Sequence, residues 1–148
     1  MAETYTNDGL DYSYRVSYCG STALSTFYVG LFVSATPSTV PASSASGASS
    51  GWTEMTAATG TYTLASVAAS AITTAGNVGG SARGSTWPQV SFTGFTSSSP
   101  ANGAVLLSGS VASTASPLAF CNFDSGASRS MATTSDTLQF TPAFRFTP

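Results

Sequence analysis

Apolar residues in this chain occur in short runs that alternate with stretches rich in Ser, Thr, Gly and Pro. Such runs predict β-strands and turns, and no segment has the long 3.6-residue periodicity of an amphipathic helix. Residues 27–33 are apolar on both alternating faces, so we expect a central strand covered on both sides. The pattern predicts an all-β fold, an antiparallel, jelly-roll-like β-sandwich with long Ser-, Ala- and Gly-rich loops. The length fits one domain, residues 1–148.

The N-terminal segment permits two interpretations. Residues 1–10 are polar and predict an N-terminal arm. In 11–19, tyrosines alternate with polar residues, which favours a strand. However, Leu10, Tyr14 and Tyr18 also lie at helical spacing, after a Thr-Asn-Asp-Gly sequence of the kind that caps helices. A short N-terminal helix is therefore the alternative to the strand.

Apolar runs and Gly- or Ser-rich stretches also predict the strands and loops in the middle of the chain. Strands are predicted at 61–67, 87–92, 104–111 and 117–123. Loops are predicted at 34–51, where little can pack a core, and at 73–86, which contains four glycines. The long loop 34–51 is either a binding arm or a passive surface loop.

The C-terminal segment has the cleanest alternation. The apolar residues that share one face are Leu138, Phe140, Pro142, Phe144 and Phe146. Polar residues fill most positions between them, which predicts one half-buried antiparallel strand. Because Pro142 has no N–H to donate, the strand is expected at an edge or a bulge.

Charge is scarce, and its scarcity excludes several functions. Only 7% of the 148 residues are charged, compared with about 25% in an ordinary domain. The absence of His and Lys rules out Ser-His-Asp and Cys-His sites, Ser-Lys dyads, Schiff bases and P-loops. The basic residues are Arg15, Arg83, Arg129 and Arg145. Four scattered arginines and a net charge of −2 argue against nucleic-acid binding and a polybasic membrane anchor.

The first residues, the longest apolar run and the cysteines suggest no export signal, membrane span or metal site. The first residues are polar and acidic, unlike a signal peptide, and the run 27–33 is too short to cross a bilayer. A zinc site built on Cys19 and Cys121 would also need carboxylate ligands, which is rare. We expect both cysteines to be free thiols, buried as small apolar groups.

Three groups of residues suggest chemistry, and each has a plainer interpretation that we favour. Asp124 begins an Asp-Ser-Gly sequence like that of aspartic proteases, but Asp and Gly are also typical of turns. Glu54 and Asp136 could form a glycosidase pair, whereas solvated surface charges are the simpler expectation. Trp52 and Trp87 could form a sugar-binding platform with tyrosines, whereas packing in the core is the simpler expectation.

An ordered set of segments resembles a known family. The segments are 6–11, 26–32, 37–42, 87–92, 118–124 and 136–142. Together they resemble small β-rich virion proteins of tailed phages, common in marine and cyanobacterial phages and described as tail-fibre-like or capsid-associated. Residues 12–18 are richer in Tyr and Ser than the family pattern, and 57–84 are richer in Ala and Ser. The resemblance implies a structural role and transfers no catalytic, cofactor-binding or metal-binding residue.

These observations predict a capsid decoration (cement) protein of a phage. It would form a homotrimer on the major capsid protein at the outer capsid surface, after synthesis in the host cytoplasm, with neither nucleic acid nor membrane as partner. A nearly uncharged surface suits a crowded symmetric array better than free solution, where charge maintains solubility. The alternative is a tail-fibre, tail-tip or receptor-binding module. A third hypothesis is a small dimeric aspartic protease that uses Asp124.

Overall fold

The described part of the chain consists of β-strands, one α-helix and one short 3-10 helix (Ala69–Ala71). A computed structural model describes residues 3–35, 52–55, 63–77, 83–95, 100–111, 114–123, 128–131, 135–142 and 145–146. Its elements are β1 (Glu3–Tyr5), α1 (Asn7–Tyr18), β2 (Thr26–Ala35), β3 (Trp52–Glu54), β4 (Ala65–Ala68), β5 (Thr73–Asn77), β6 (Arg83–Thr86), β7 (Val90–Phe92), β8 (Gly103–Leu107), β9 (Pro117–Asn122), β10 (Leu138–Phe140) and β11 (Arg145–Phe146). All strand pairs are antiparallel, so the all-β prediction is confirmed at this level.

The largest sheet is built around β2. Its strands follow the order β1-β9-β8-β2-β3, and β4 also pairs with β2. β8 occupies one edge of β2, while β4 and β3 share the other edge, beside its first and second halves. Val29 and Leu31 belong to one buried cluster and Phe32 to another. The prediction of a central strand covered on both faces is therefore confirmed.

The two buried clusters lie on opposite faces of this sheet. The larger cluster includes Val29, Leu31 and Phe92, and three of the six buried residues of the smaller one are aromatic. In the smaller cluster, the Phe120 ring lies 5.6 Å from the Phe32 ring and 5.5 Å from the Trp52 ring, both edge-on. Edge-to-face aromatic contacts at this distance add to the free energy of burial.

Most of the predicted strands are confirmed, with shorter bounds. The segments 87–92 and 117–123 contain β7 and β9, and β8 overlaps the first part of the segment 104–111 but begins one residue earlier, at Gly103. β4 covers only the end of the predicted strand 61–67.

The predicted loop 73–86 is wrong for residues 73–77 and 83–86, which form β5 and β6, and residues 78–82 lie outside the described residues. β5 and β6 pair with each other through Thr73↔Thr86, Thr74↔Ser85 and Ala75↔Gly84. The glycines suggested a loop, but strand pairing depends on backbone hydrogen bonds and needs no apolar side chain. The predicted loop 34–51 is wrong at its first two positions, because β2 extends to Ala35. Residues 36–51 lie outside the described residues.

The predicted single C-terminal strand is also wrong. β10 pairs with β7 in a two-stranded sheet, whereas β11 pairs with β6 in a three-stranded sheet. Pro142 is buried just beyond β10. A residue without an N–H cannot continue the ladder, so the strand ends and the chain passes to another sheet.

The prediction of a polar arm at 1–10 is wrong for the described residues. Glu3, Thr4 and Tyr5 form β1 and pair with β9 at the edge of the largest sheet, and α1 begins at Asn7. The strand predicted at 11–19 is wrong too, because α1 occupies this segment up to Tyr18. The helical alternative is the correct one.

The cysteine prediction is half correct. Neither cysteine forms a disulfide bond. Cys121 is buried on β9, but Cys19 is exposed immediately after α1.

Candidate interaction surface

Helix α1 begins at a buried cap. The Thr6 side chain accepts a hydrogen bond from the Gly9 N–H at 2.9 Å and donates one to the Pro117 carbonyl. The Thr6 N–H donates to the Leu118 carbonyl at 3.1 Å. One fully buried threonine thus starts the helix and fixes it to β9.

The inner face of α1 lies directly against the backbone of β9. A Cβ atom on Gly9 would be only 2.0 Å from the Leu118 carbonyl oxygen, so this position accepts only glycine. Next to it, the Tyr12 hydroxyl accepts a hydrogen bond from the Leu24 N–H at 2.9 Å, and its ring lies 6.1 Å from Phe27. These contacts fix which face of the helix points outwards.

The outer face of α1 exposes a row of large apolar side chains, Leu10, Tyr14 and Tyr18, which we call the α1 ridge. Their exposed fractions are 51%, 60% and 79%. Successive members are four residues apart and therefore adjacent on the helix, and the Tyr14 and Tyr18 rings lie 5.3 Å apart. The described part of the chain has one further large exposed apolar residue, Val111 at 54%.

An ion pair borders the α1 ridge. Arg15 Nε lies 2.6 Å from Asp11 Oδ2, and both side chains are more than half exposed. Exposed pairs of this kind contribute only about 0.3–0.5 kcal/mol to a helix. The pair therefore adds little to stability, but it means that the two charges beside the α1 ridge neutralise each other.

This surface is suited to binding a protein. Tyrosines have a large apolar ring and a polar hydroxyl, and they are enriched in interfaces and their energetic centres. A contiguous exposed apolar patch marks a contact site more reliably than scattered apolar residues. The spacing of Leu10, Tyr14 and Tyr18 was visible in the sequence, but their exposure depends on the position of Gly9 against β9.

The structure describes four of the residues for which the sequence suggested chemistry. Trp52 and Trp87 are buried, so core packing is confirmed and the sugar-platform hypothesis is wrong for these two residues. Glu54 is 5% exposed, which contradicts the expected surface position; β3 places it opposite Phe32 in the largest sheet. Asp136 is half-buried two residues before β10, a strand that belongs to a different sheet from the one that contains Glu54.

Asp124 and the rest of its Asp-Ser-Gly sequence lie outside the described residues. Within the described ranges, no three His, Cys, Asp or Glu side chains form a group that could hold a metal ion. In the same part of the chain, no helix has the length and apolar character needed to cross a membrane.

Comparison with models of known families, with curated proteins and with solved structures finds no match to this chain. The resemblance to phage virion proteins therefore rests on the quoted sequence segments and stays a prediction.

Proposed function

We propose that the protein is a capsid decoration (cement) protein of a tailed phage. In this proposal it forms a homotrimer with jelly-roll-like β-sandwich subunits and binds the major capsid protein on the outer surface of the virion. It acts by binding, without a catalytic residue, a cofactor or a metal.

The α1 ridge is the observation that carries the proposal. Leu10, Tyr14 and Tyr18 are together on a helix that is fixed to the sheet by Thr6 and Gly9, so the ridge is presented rigidly. A preorganised surface loses little conformational entropy when it binds. With only 7% charged residues, the chain also has few charges to desolvate when a neighbour covers it.

The small size of the ridge fits a role in an array. Three side chains bury much less than the ~800 Å² per partner of a typical stable interface, so one ridge contact is weak. On a lattice, many equal contacts reinforce each other, because each one keeps the others at high effective concentration. Weak but numerous contacts are sufficient for a cement protein.

The first experiment measures binding to capsids. Purified protein is mixed with expanded capsids that lack it, from the phage whose genome encodes this chain, and the bound copies per capsid are counted. We expect saturation at a stoichiometry set by the capsid lattice. Absence of binding, together with labelling found only on tails of intact particles, would contradict the proposal and favour the tail-fibre, tail-tip or receptor-binding alternative.

A variant pair tests the ridge itself. Tyr14→Ser combined with Tyr18→Ser removes both exposed rings and is expected to lower capsid affinity at least about tenfold, the effect of losing ~1.4 kcal/mol. Val111→Ser removes the exposed apolar residue outside α1 and serves as the matched control, with unchanged affinity. Equal capsid affinity of both variants would show that the α1 ridge is not the surface that binds the capsid.

A further inference from the structure

Among the residues that the structure describes, strand β4 is paired along one edge only. It pairs with the first half of β2, and no other strand in the described ranges pairs with it. Val67 is buried in the larger cluster, whereas its neighbours Ser66 and Ala68 are exposed.

The hydrogen-bond register shows which backbone groups face that edge. The Ala69 N–H, just after β4, donates to the Ser25 carbonyl at 2.9 Å, and these two residues continue the register of β4 and β2. In an antiparallel pair, opposed residues alternate between exchanging hydrogen bonds and exchanging none. The odd-numbered residues of β4 therefore bond to β2, and Ser66 and Ala68 direct their N–H and C=O groups away from it.

A groove lies beside this edge. It measures about 510 Å³ and is lined by residues 63–68 and 71 on one side and by residues 88–91 and 93, which include the first two residues of β7, on the other. None of its lining residues is charged. We call this groove the β4 slot.

We propose that the β4 slot binds an extended, uncharged peptide segment of a partner protein, which adds to β4 as a further strand. Addition of a strand to an exposed sheet edge is a common form of peptide recognition, in which main-chain hydrogen bonds supply much of the affinity. The outward N–H and C=O groups of Ser66 and Ala68 are the bonding groups that such a strand needs.

The chemistry of the slot selects the occupant. Free edges are normally protected by Lys, by inward-pointing charges or by Pro on the edge strand, and β4 (Ala-Ser-Val-Ala) has none of them. A charged segment would lose its hydration without meeting an opposite charge, whereas Ser, Thr and Val side chains would not. The inference is independent of the capsid proposal.

Residue-specific hydrogen exchange tests the proposal on the full-length protein. The probe is the neutral peptide acetyl-Ser-Thr-Val-Thr-Val-Ser-amide at millimolar concentration. We expect exchange of the Ser66 and Ala68 amides to slow about tenfold, while that of Val67, already bonded to β2, stays unchanged. No slowing at these two amides, or slowing only elsewhere, would overturn the proposal.

Substitutions at Ser66 distinguish the contribution of its backbone N–H to peptide binding from that of its side chain. Ser66→Pro removes the outward N–H and leaves the bonds to β2 in place, so it should abolish peptide binding. Ser66→Ala keeps the N–H and should bind as the natural chain does. If Ser66→Pro does not fold, Ser66→Lys replaces it as the test, because a charge at the edge should weaken binding at least about tenfold. Unchanged binding by the folded Pro variant, or by the Lys variant, would refute strand addition.

Discussion

At the scale of single residues, Gly9 has the largest structural consequence. Glycine in a helix interior normally costs about 1 kcal/mol relative to alanine, because it loses more backbone entropy on folding. Here the missing side chain allows α1 to lie on the Leu118 carbonyl of β9. The local preference of the helix and the packing of the sheet are in conflict at this position, and packing prevails.

Gly9→Ala is therefore expected to destabilise the protein although it raises helix propensity. The new methyl group would lie 2.0 Å from a backbone oxygen, and overpacking of this kind costs roughly 1–3 kcal/mol or more. Urea denaturation measures the free energy of unfolding. Gly109→Ala is the control, since its Cβ would meet only an ordinary 3.5 Å contact with Ala115. Equal stability of the two variants would contradict the close contact.

At the scale of elements, α1 shows what the sequence determines and what it leaves open. The alternating tyrosines of 11–19 have high strand propensity, but the Thr6 cap and the packing on β9 make the segment helical. Strand 27–33 was predictable because its own apolar pattern determines its burial. The β5–β6 pair was not predictable from the sequence, because its strands are mostly polar and show no apolar alternation. The α1 ridge and the β4 slot require knowledge of which elements are adjacent.

Thr6→Ala should weaken the attachment of α1 to the sheet. It removes the cap on Gly9 and the hydrogen bond to Pro117, losses of roughly 1–3 kcal/mol in combination. Amide exchange within α1 should accelerate more than exchange within β2. Thr6→Ser keeps the hydroxyl and should retain most of the stability. If exchange rates in α1 stay unchanged in the Ala variant, the cap does not hold the helix.

At the scale of the whole molecule, the largest sheet is stabilised from both faces. The larger cluster involves residues from many parts of the sequence, whereas the smaller one depends on a few aromatic side chains, with Phe120 in contact with both Phe32 and Trp52. The smaller cluster therefore has little capacity to compensate for the loss of one ring.

Phe120→Ala is expected to cost about 3–5 kcal/mol, a large share of the 5–15 kcal/mol of a typical domain. Thermal and urea unfolding, followed by tryptophan fluorescence, measure the loss. Val111→Ala changes an exposed side chain and should stay within about 0.5 kcal/mol of the natural chain. A loss below 1 kcal/mol for Phe120→Ala would show that the smaller cluster contributes little.

The bond between Thr6 and Pro117 also sets an order of events during synthesis. Its two partners are 111 residues apart, and β1 pairs with β9 in the same region. At about 5–20 residues per second, a ribosome needs roughly 6–22 s to make the intervening chain. For that time the first strand has no partner, and α1 has no sheet to rest on. The nascent chain therefore exposes its tyrosine-rich α1 segment until β9 has been made, and a molecular chaperone can bind there during that time.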